Sequence, residues 1–587
     1  MRTYRRLTLV FLFLVAAVYF FISLALPDES FWITDAGNKF IVMRNMELFG
    51  SDNIVYPAFE IDPEKNFLPD SDYHLNKTPD GVYSIFPSYF PAVSLPFHLM
   101  FGYAGLYLLP FISSLLIYFY MDRIARHTGL PNWQGGIILV AAFCSPLLFY
   151  SFTFWEMTPA IALSTISIYY LVSKRAKEKM PVYYFIAGVF LGLSTILREE
   201  GYFLLAAFVL AMLLTRHSKF ITGLYAGGFM TIILPLWVFQ FIRYGHILGL
   251  HGAGYHSHNA GSEGLVAIVS RQLEGYWFYL FKFNSWSIQD HWLYFLPAIP
   301  FAAAVFLGAS YGEYEERLNR VRLLTLAGCC LAELALVVGM FTGYHKVINC
   351  IFMVGLLPGV PYLVMIALGI RPLFKRLIRG SYLMLLASGL YILMICPILT
   401  RTDMGIIWGP RHFMLLLPML IPLSFAAIRG FTRHCPSFFL RQAYRLIFVF
   451  LCLCGFAIQV RGLYNLKVMK DNSLELAREI EKRSDTYIIS DVYWMPFMTP
   501  KLYHERKFLQ VKNDREFAAA IETLRRNRVK NFTYLRAVDP GYRAVTGKTL
   551  KKYLGPEVKI LTPTGVKLPG TEFLELIIVR CHFPDKD

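Results

Sequence analysis

Long apolar segments recur along the whole chain, and shorter polar segments separate them. The first runs from Leu7 to Leu26 without a charged residue, and about 20 helical residues are enough to cross the hydrocarbon core of a bilayer. Thirteen segments predict spanning helices, at residues 7–26, 92–120, 135–150, 158–173, 181–197, 201–214, 220–242, 293–310, 321–341, 350–369, 381–400, 412–428 and 444–461. The predicted fold class is a polytopic α-helical membrane protein of about 13 spans.

The first segment has a second interpretation as a signal peptide. Basic residues precede it, and Ser23-Leu24-Ala25 resembles a cleavage site. Its apolar run is longer than the core of a usual signal peptide, so we favour a retained first helix.

Basic residues concentrate in alternate loops, most clearly in Lys174–Lys179 and Arg371–Arg379. Short loops rich in Lys and Arg stay in the cytoplasm, so the pattern predicts a cytoplasmic N-terminus. An odd number of spans then places the C-terminal region on the periplasmic or extracellular side. We expect a multi-pass protein of the cell inner (plasma) membrane.

The chain divides into two predicted domains. Residues 1–461 form the transmembrane domain, with long outside loops at 27–91 and 243–292, and loops of this length over a rigid bundle usually carry function. Residues 462–587 have the composition of a soluble domain. Helix-like and strand-like segments alternate there and predict a small α/β domain, with elements at 473–483, Tyr487–Ser490, Arg515–Arg528, Phe532–Leu535, Val558–Leu561 and Phe573–Val579.

Composition agrees with this division, because a chain that is 56% hydrophobic with 50 Phe and 36 Tyr is not a soluble enzyme. The net charge is +17, and part of this excess lies after residue 461. A basic domain beside a membrane can contact lipid headgroups or an acidic glycan, although such an excess is more often a solvated surface. No glycine-rich nucleotide loop follows a strand, and we expect no nucleic-acid partner.

Asp35 is the first candidate for chemistry, because it follows the first span at the predicted membrane boundary. Thr34 is a predicted helix N-cap with Asp35 in the first turn, where the helix dipole favours an acid. Phe40 and Met43 continue at helical spacing and predict a short amphipathic helix at the interface. The alternative is that Asp35 only stabilises this helix.

Further charged residues lie at the predicted outer ends of spans. Glu156 falls between spans three and four, Arg198 and Glu199 between spans five and six, and Arg411 at the start of span twelve. Charges at membrane depth usually face a cavity or a partner, although each of these is also compatible with an interfacial anchor. Together with Asp35 they suggest a base, a helper acid or metal ligand, and arginines that hold a phosphate.

Three histidines in the second long loop, His251, His256 and His258, form a weak metal signal. Their spacing within a glycine-rich loop favours exposed or substrate-facing side chains. A divalent cation is the one candidate cofactor, with Asp35 and Glu156 as its candidate ligands, and no other cofactor is expected.

In their order and placement these sequences resemble the GT-C superfamily of integral membrane glycosyltransferases. The likeness is to the bacterial branch that contains the aminoarabinose transferase, the protein O-mannosyltransferases and the lipopolysaccharide-core galacturonosyltransferases, and it covers the whole membrane part. It implies that Asp35 is the catalytic residue and that Glu156 serves the site. Leu197–Glu200 and Gly409–His412 are similar to recurrent sequences at the same places in that family.

One departure concerns the donor phosphate. Members of the family often carry a Lys before Pro-Pro late in the first loop, whereas this chain has Ser84-Ile-Phe-Pro-Ser88, which follows Tyr83. Tyr83 is a further candidate for substrate binding. The phosphate partner would then be Lys39, Arg198, Arg411 or a metal.

The resemblance implies an inverting transfer of a sugar from a polyprenyl-phosphate donor to a lipid, glycan or protein acceptor of the envelope, on the outer face of the membrane. Membrane lipid is the expected surrounding partner. Two other classes stay open. A secondary transporter would also have many spans, but we find no paired halves with broken helices. A non-catalytic assembly or flipping subunit would keep the architecture without needing Asp35.

The predicted orientation is testable with single cysteines and an impermeant thiol reagent in intact spheroplasts. Cysteines introduced by Ala176→Cys and Lys375→Cys should resist the reagent because both loops are predicted to be cytoplasmic. A cysteine introduced by Lys548→Cys should react. The reverse pattern would overturn the placement of every site residue named above.

Overall fold

The structure is a computed structural model of the chain. It describes residues 2–69, 74–78, 80–127, 130, 133–173, 180–250, 270, 273, 275–277, 279–281, 298–310, 316–342, 355–370, 379–398, 408–435, 437–537, 545, 549, 552, 553 and 576–583. His251, His256, His258 and the predicted strand Val558–Leu561 lie outside the described residues.

Helices dominate the described chain. They are α1 Arg2–Leu24, α2 Thr34–Phe49, α3 Tyr89–Gly105, α4 Leu108–His127, α5 Gln134–Phe143, α6 Leu147–Tyr150, α7 Met157–Val172, α8 Val182–Leu197, α9 Gly201–Leu214, α10 Lys219–Tyr244, α11 Ile299–Ser310, α12 Glu316–Thr342, α13 Leu356–Gly359, α14 Val364–Leu368, α15 Arg379–Ile395, α16 Leu417–His434, α17 Phe438–Arg483, α18 Met495–Met498 and α19 Asp514–Arg526. Short 3₁₀ turns cover Pro361–Leu363, Arg411–Leu416 and Pro500–Leu502.

The strands form two sheets. A two-stranded antiparallel hairpin joins β1 Leu75–Thr78 to β2 Gly81–Ser84. A four-stranded sheet has the order β4-β3-β5-β6, from β3 Tyr487–Ser490, β4 Lys507–Gln510, β5 Asn531–Ala537 and β6 Leu576–His582. In this sheet β3 is parallel to both β4 and β5, whereas β6 is antiparallel to β5.

The chain separates into two compact units. The first contains Met1–Ser23, Leu109–Ile247 and His258–Tyr464, and the second contains Leu24–Leu108, Leu248–Ser257 and Asn465–Asp587. The domain prediction grouped the loop 27–91 with the transmembrane domain, whereas the second unit contains both this loop and the C-terminal residues.

In the described chain, six helices are long and apolar enough to cross a membrane: Arg6–Leu24, Leu108–His127, Lys219–Tyr244, Asn319–Thr342, Arg411–Arg433 and Phe438–Lys482. Shorter apolar helices cover Met157–Val172, Val182–Leu197, Gly201–Leu214, Ile299–Ser310 and Gly380–Ile395, at the places of further predicted spans. The protein is therefore a multi-pass membrane protein, and the number of 13 spans stays a prediction.

The predicted second span, 92–120, is wrong as a single helix. The chain forms α3 and α4 there, and Gly102 interrupts the helical path with φ +60°. This value lies in the left-handed region that glycine adopts most easily. The two helices fall almost entirely into different units, with the boundary at Leu108.

The sheet of the second unit is covered by apolar side chains on both faces, because successive residues of a strand point in opposite directions. Ile489 and Tyr534 belong to a cluster with α19, whereas Ile488 and Leu535 belong to a second cluster with Leu476 from the end of α17. The strand predicted at Tyr487–Ser490 is confirmed. The predicted helix at 473–483 is the end of the much longer α17.

The first of these clusters also contains residues of the loop after the first span. It includes Ile41, Val42, Ile54, Tyr56, Phe67, Leu68, Leu75 and Val82 together with Phe497, Tyr503 and Phe517. The loop and the C-terminal residues therefore share one hydrophobic core. Each buried side chain of this size contributes about 1.5–3 kcal/mol relative to its exposed state.

Helix α2 lies inside this unit, which corrects the prediction of an amphipathic helix at the membrane interface. Residues Ala36–Met43 are all buried, on every side of the helix. Gly37 explains how such close packing is possible, since a Cβ there would lie 1.7 Å from the Phe497 carbonyl oxygen. The backbone of α2 and the backbone of α18 approach more closely than any side chain would allow.

We expect Gly37→Ala to destabilise the second unit, because the new methyl group must push α18 away and such overpacking costs about 1–3 kcal/mol. Gly223→Ala in α10 is a matched control, since a Cβ there meets nothing within 4 Å. Helix propensity favours Ala in both cases by about 1 kcal/mol. Thermal unfolding in detergent should show a loss only for Gly37→Ala, and equal stabilisation of both variants would contradict the close contact.

Candidate functional site

Asp35 lies in the first turn of α2, and its side chain is 20% exposed. The predicted N-cap at Thr34 is wrong, because Ile33 occupies the cap position in an extended conformation and no side chain caps the helix. Thr34 is the first helical residue, and its hydroxyl lies 3.0 Å from His74 Nε2. The first turn of α2 thus presents a partly exposed acid beside a histidine.

His74 is the site residue that the sequence analysis missed. Its Nε2 lies 3.6 Å from Asp35 Oδ1, and its ring stacks on Phe497 with centroids 4.7 Å apart. Nothing in the local sequence links His74 to Asp35, because 38 residues separate the two along the chain.

Asn38 connects the same turn of α2 to the hairpin. It is fully buried, its amide donates to the His74 carbonyl oxygen at 3.0 Å, and its own oxygen accepts from the Ser84 hydroxyl at 2.7 Å. A buried amide that loses its hydrogen-bond partners lowers the free energy of unfolding by about 1–3 kcal/mol. The two Asn38 hydrogen bonds therefore hold the hairpin against α2.

Lys39 and Tyr83 are both buried in this unit. The Lys39 ammonium lies over the Phe86 ring at 5.0 Å from its centroid, a cation–π geometry. Phe86 belongs to the run Ser84–Ser88, which lacks the lysine that the resemblance would place there. The Lys39 ammonium therefore lies beside that run. Lys39 also follows Asp35 by four residues, which places both on one side of α2.

In the first unit, Arg198 joins two carboxylates. Its guanidinium lies 3.2 Å from Glu156 Oε1 and forms a short ion pair with Glu200, and the three side chains are 7%, 10% and 13% exposed. Glu156 and Arg198, both predicted from the sequence, are therefore in contact. Of the two adjacent acids, Glu200 forms the ion pair with Arg198. The side chain of Glu199, the acid named from the sequence, is half-buried.

Glu200 also accepts from His412 Nδ1 at 2.9 Å. Burial by itself raises the pKa of Glu200, but the Arg198 guanidinium and the His412 ring reverse this shift and hold that pKa well below its usual range. The carboxyl is therefore ionised at neutral pH. The backbone is anchored too, because the Tyr391 hydroxyl donates to the His412 carbonyl oxygen at 2.6 Å.

Arg411 is held differently from Arg198. Its guanidinium lies 5.4 Å from the centre of the Trp155 ring, and in the described residues no carboxylate forms an ion pair with it. The side chain is half-buried, and its Nε has no hydrogen-bond partner. An arginine oriented by an aromatic ring keeps its N–H groups available for an anion.

The described residues contain no group of three or more His, Cys, Asp or Glu side chains that could hold a metal ion. Asp35 faces His74 in one unit, and Glu156 faces Arg198 in the other. Within its own unit neither carboxylate fits a metal site, so a divalent cation stays a prediction without a described ligand set.

No protein-family model and no curated protein matches the chain. Solved structures do. ArnT from Cupriavidus metallidurans bound to undecaprenyl phosphate matches with a TM-score of 0.50 and 12% identity, and the alignment covers 97% of each chain. The chain has the GT-C fold. The resemblance drawn from the sequence is confirmed at the level of the fold.

Two other proteins with the GT-C fold match less closely. The oligosaccharyltransferase of Archaeoglobus fulgidus in the apo form has a TM-score of 0.45 and 12% identity, over 90% of this chain and 69% of that one. The mycobacterial arabinofuranosyltransferase AftD has a TM-score of 0.40 and 11% identity, over 98% of this chain and 40% of that one.

We expect Glu200→Gln to destabilise the first unit by on the order of 3 kcal/mol, since it removes one partner of a buried ion pair. Glu199→Gln is the matched control at the adjacent position. Because the pKa of Glu200 is depressed, its stabilising effect is present at neutral pH and is lost as pH falls below the usual glutamate value of about 4.3. Unfolding temperatures of the two variants across pH test this, and equal losses in both would remove the special role of Glu200.

Proposed function

We propose that the protein is an inverting glycosyltransferase that moves a sugar from a polyprenyl-phosphate donor to an envelope acceptor. The observation that carries the proposal is the GT-C fold, shared over 97% of both chains with an ArnT structure that holds undecaprenyl phosphate. The partly exposed acid at Asp35 supports it, because it lies 11 residues after the end of α1, and the resemblance implies a catalytic acid soon after the first span.

Asp35 acts as the general base in this proposal. The acceptor oxygen attacks the anomeric carbon, its proton passes to the Asp35 carboxylate, and the bond from that carbon to the phosphate oxygen breaks. Attack opposite the leaving phosphate inverts the anomeric centre. The polyprenyl phosphate leaves as a dianion, whose charge needs stabilisation by a cation.

Arg411 and Lys39 are the better candidates for that cation. Arg411 is oriented by Trp155, and Lys39 lies beside the run that lacks the family's lysine. Arg198 is a weaker candidate than the sequence suggested, because its guanidinium is occupied by Glu156 and Glu200. In this proposal Arg198 orients Glu156 and does not hold phosphate itself.

We further propose the predicted setting for this reaction. The protein lies in the inner membrane with its N-terminus in the cytoplasm, and transfer takes place on the outer face. The acceptor is a lipid, a glycan or a protein, and the basic residues after 461 help to dock it. Tyr83, Glu199 and the histidines of the second long loop are proposed substrate contacts.

One observation favours a transporter instead. Glu333 is fully buried within the spanning helix α12, and among the described residues neither of its carboxyl oxygens has a hydrogen-bond partner. Acids at such depth often belong to ion or proton pathways. The charged candidate site residues lie at the predicted ends of spans, whereas Glu333 lies inside a spanning helix. The GT-C fold nevertheless supports the transferase.

Asp35→Asn tests the proposal. The amide keeps the size of the side chain but cannot accept the acceptor proton, and general-base catalysis supplies about 10²–10⁴-fold. The purified protein would be reconstituted into membranes and assayed with a panel of labelled undecaprenyl-phosphate monosaccharides. An envelope extract would supply the acceptors. The variant should fold and bind undecaprenyl phosphate as the wild type does, yet transfer sugar at least about 100-fold more slowly.

Either of two results would contradict this role. Transfer at the wild-type rate by Asp35→Asn would exclude the base. A loss of folding without a selective loss of rate would support the alternative that Asp35 is only a helix-stabilising acid. Asp52→Asn, in the same loop, is the matched control for a change from acid to amide, and it should leave the rate unchanged.

A further inference from the structure

His74 lies where three separate segments of the second unit meet. Its Nε2 faces the Thr34 hydroxyl at 3.0 Å and the Asp35 carboxylate at 3.6 Å. Only 9% of its side chain is exposed. The ring therefore cannot leave this position without unpacking its neighbours.

The backbone of His74 is fixed as firmly as its ring. Its carbonyl oxygen accepts from the Asn38 amide and from the Ile85 N–H, both at 3.0 Å. One of these donors belongs to α2 and the other follows β2. The position of the ring is consequently tied to the helix that carries Asp35.

Phe497 of α18 supplies the surface on which the ring rests. The two rings are nearly parallel, with 17° between their planes, and Phe497 is fully buried. The same residue places its carbonyl oxygen against Gly37, two residues after Asp35 in α2. A C-terminal segment, far away in sequence, thus sets the orientation of a histidine beside the proposed base.

We propose that His74 is a positioning residue that holds the Asp35 carboxylate in its reactive orientation, and that Phe497 holds His74 for this purpose. This inference rests on the proposed function. The His74 ring lies 3.0 Å from the Thr34 hydroxyl and 3.6 Å from Oδ1 of Asp35, so its packed position limits how far the carboxylate can rotate toward it. A misplacement of about 1 Å at such a group can cost about 100-fold in rate.

If His74 had a purely structural role, its loss would lower stability and not the rate of transfer selectively. Three variants distinguish this role from the positioning role. His74→Phe keeps an aromatic ring on Phe497 but removes the nitrogen. His74→Gln places an amide nitrogen near the former Nε2 and loses the stacking. Phe497→Leu keeps a buried apolar side chain but removes the flat surface.

His98 provides the matched control. It belongs to the same unit, its side chain is also 9% exposed, and its Nε2 lies 3.6 Å from an acid on α2, Glu47. Its ring packs against Phe40 and Tyr103. His98→Phe therefore repeats the same chemical change near a different carboxylate of the same helix.

The experiment measures kcat, the donor KM and the unfolding temperature with the undecaprenyl-phosphate sugar that the wild type uses. His74→Phe should lower kcat by about 100-fold with little change in KM, whereas His98→Phe should not lower it. The kcat of His74→Gln should be at least tenfold higher than that of His74→Phe. Phe497→Leu should lower kcat without abolishing folding.

Two results would overturn the inference. One is a wild-type kcat for His74→Phe, and the other is a loss in His74→Gln as large as in His74→Phe with the same fall in unfolding temperature. If Asp35→Asn is inactive while His74→Phe keeps its rate, the proposed function stands and only the inference fails. If Asp35→Asn transfers sugar normally, the proposed function itself fails.

Discussion

The contact between α2 and the C-terminal segment 495–502 is the constraint on which the second unit depends. Gly37 permits it, since the Phe497 carbonyl oxygen occupies the space of a side chain. The contact brings together three parts of the chain: the helix that carries Asp35, the hairpin that ends near Phe86, and the residues beyond 464. An enzyme that must hold an acid at a defined place gains from such packing, because a rigid surrounding structure limits how far the acid can move.

Electrostatics have the corresponding role in the first unit. Arg198 forms ion pairs with both Glu156 and Glu200, and His412 adds a second contact to Glu200. Isolated charges would be costly at this depth of burial, so each must be paired or face a ligand. Arg411, which rests on Trp155, has no ion-pair partner among the described residues and is the candidate for an outside anion.

Sequence patterns predicted the local elements well. The apolar runs gave the places of the long helices, and strand β3 and helix α19 followed from local alternation and periodicity. The grouping of Glu156 and Arg198 at the outer ends of spans was also predicted, whereas their ion pair was not, because Arg198 was assigned to a phosphate. In contrast, the break at Gly102 was missed, because the apolar run continues through it.

The tertiary arrangement around Asp35 could not be derived in this way. His74 and Asp35 are 39 positions apart in the sequence, and no periodic pattern encodes a contact over that separation. One signal was present, since Gly37 sits inside a helix where glycine costs about 1 kcal/mol relative to alanine. A glycine tolerated there indicates a close backbone approach, and this indicated that another segment lies against α2.

Release of the lipid phosphate shows whether the chain transfers sugar from a polyprenyl-phosphate donor. Purified wild-type protein in lipid nanodiscs would be given each undecaprenyl-phosphate monosaccharide with the envelope extract. We expect one donor to yield free undecaprenyl phosphate and labelled acceptor in equal amounts, with an inverted anomeric centre in the product. Folded protein that binds undecaprenyl phosphate but releases none from any donor, or a product with retained configuration, would contradict it.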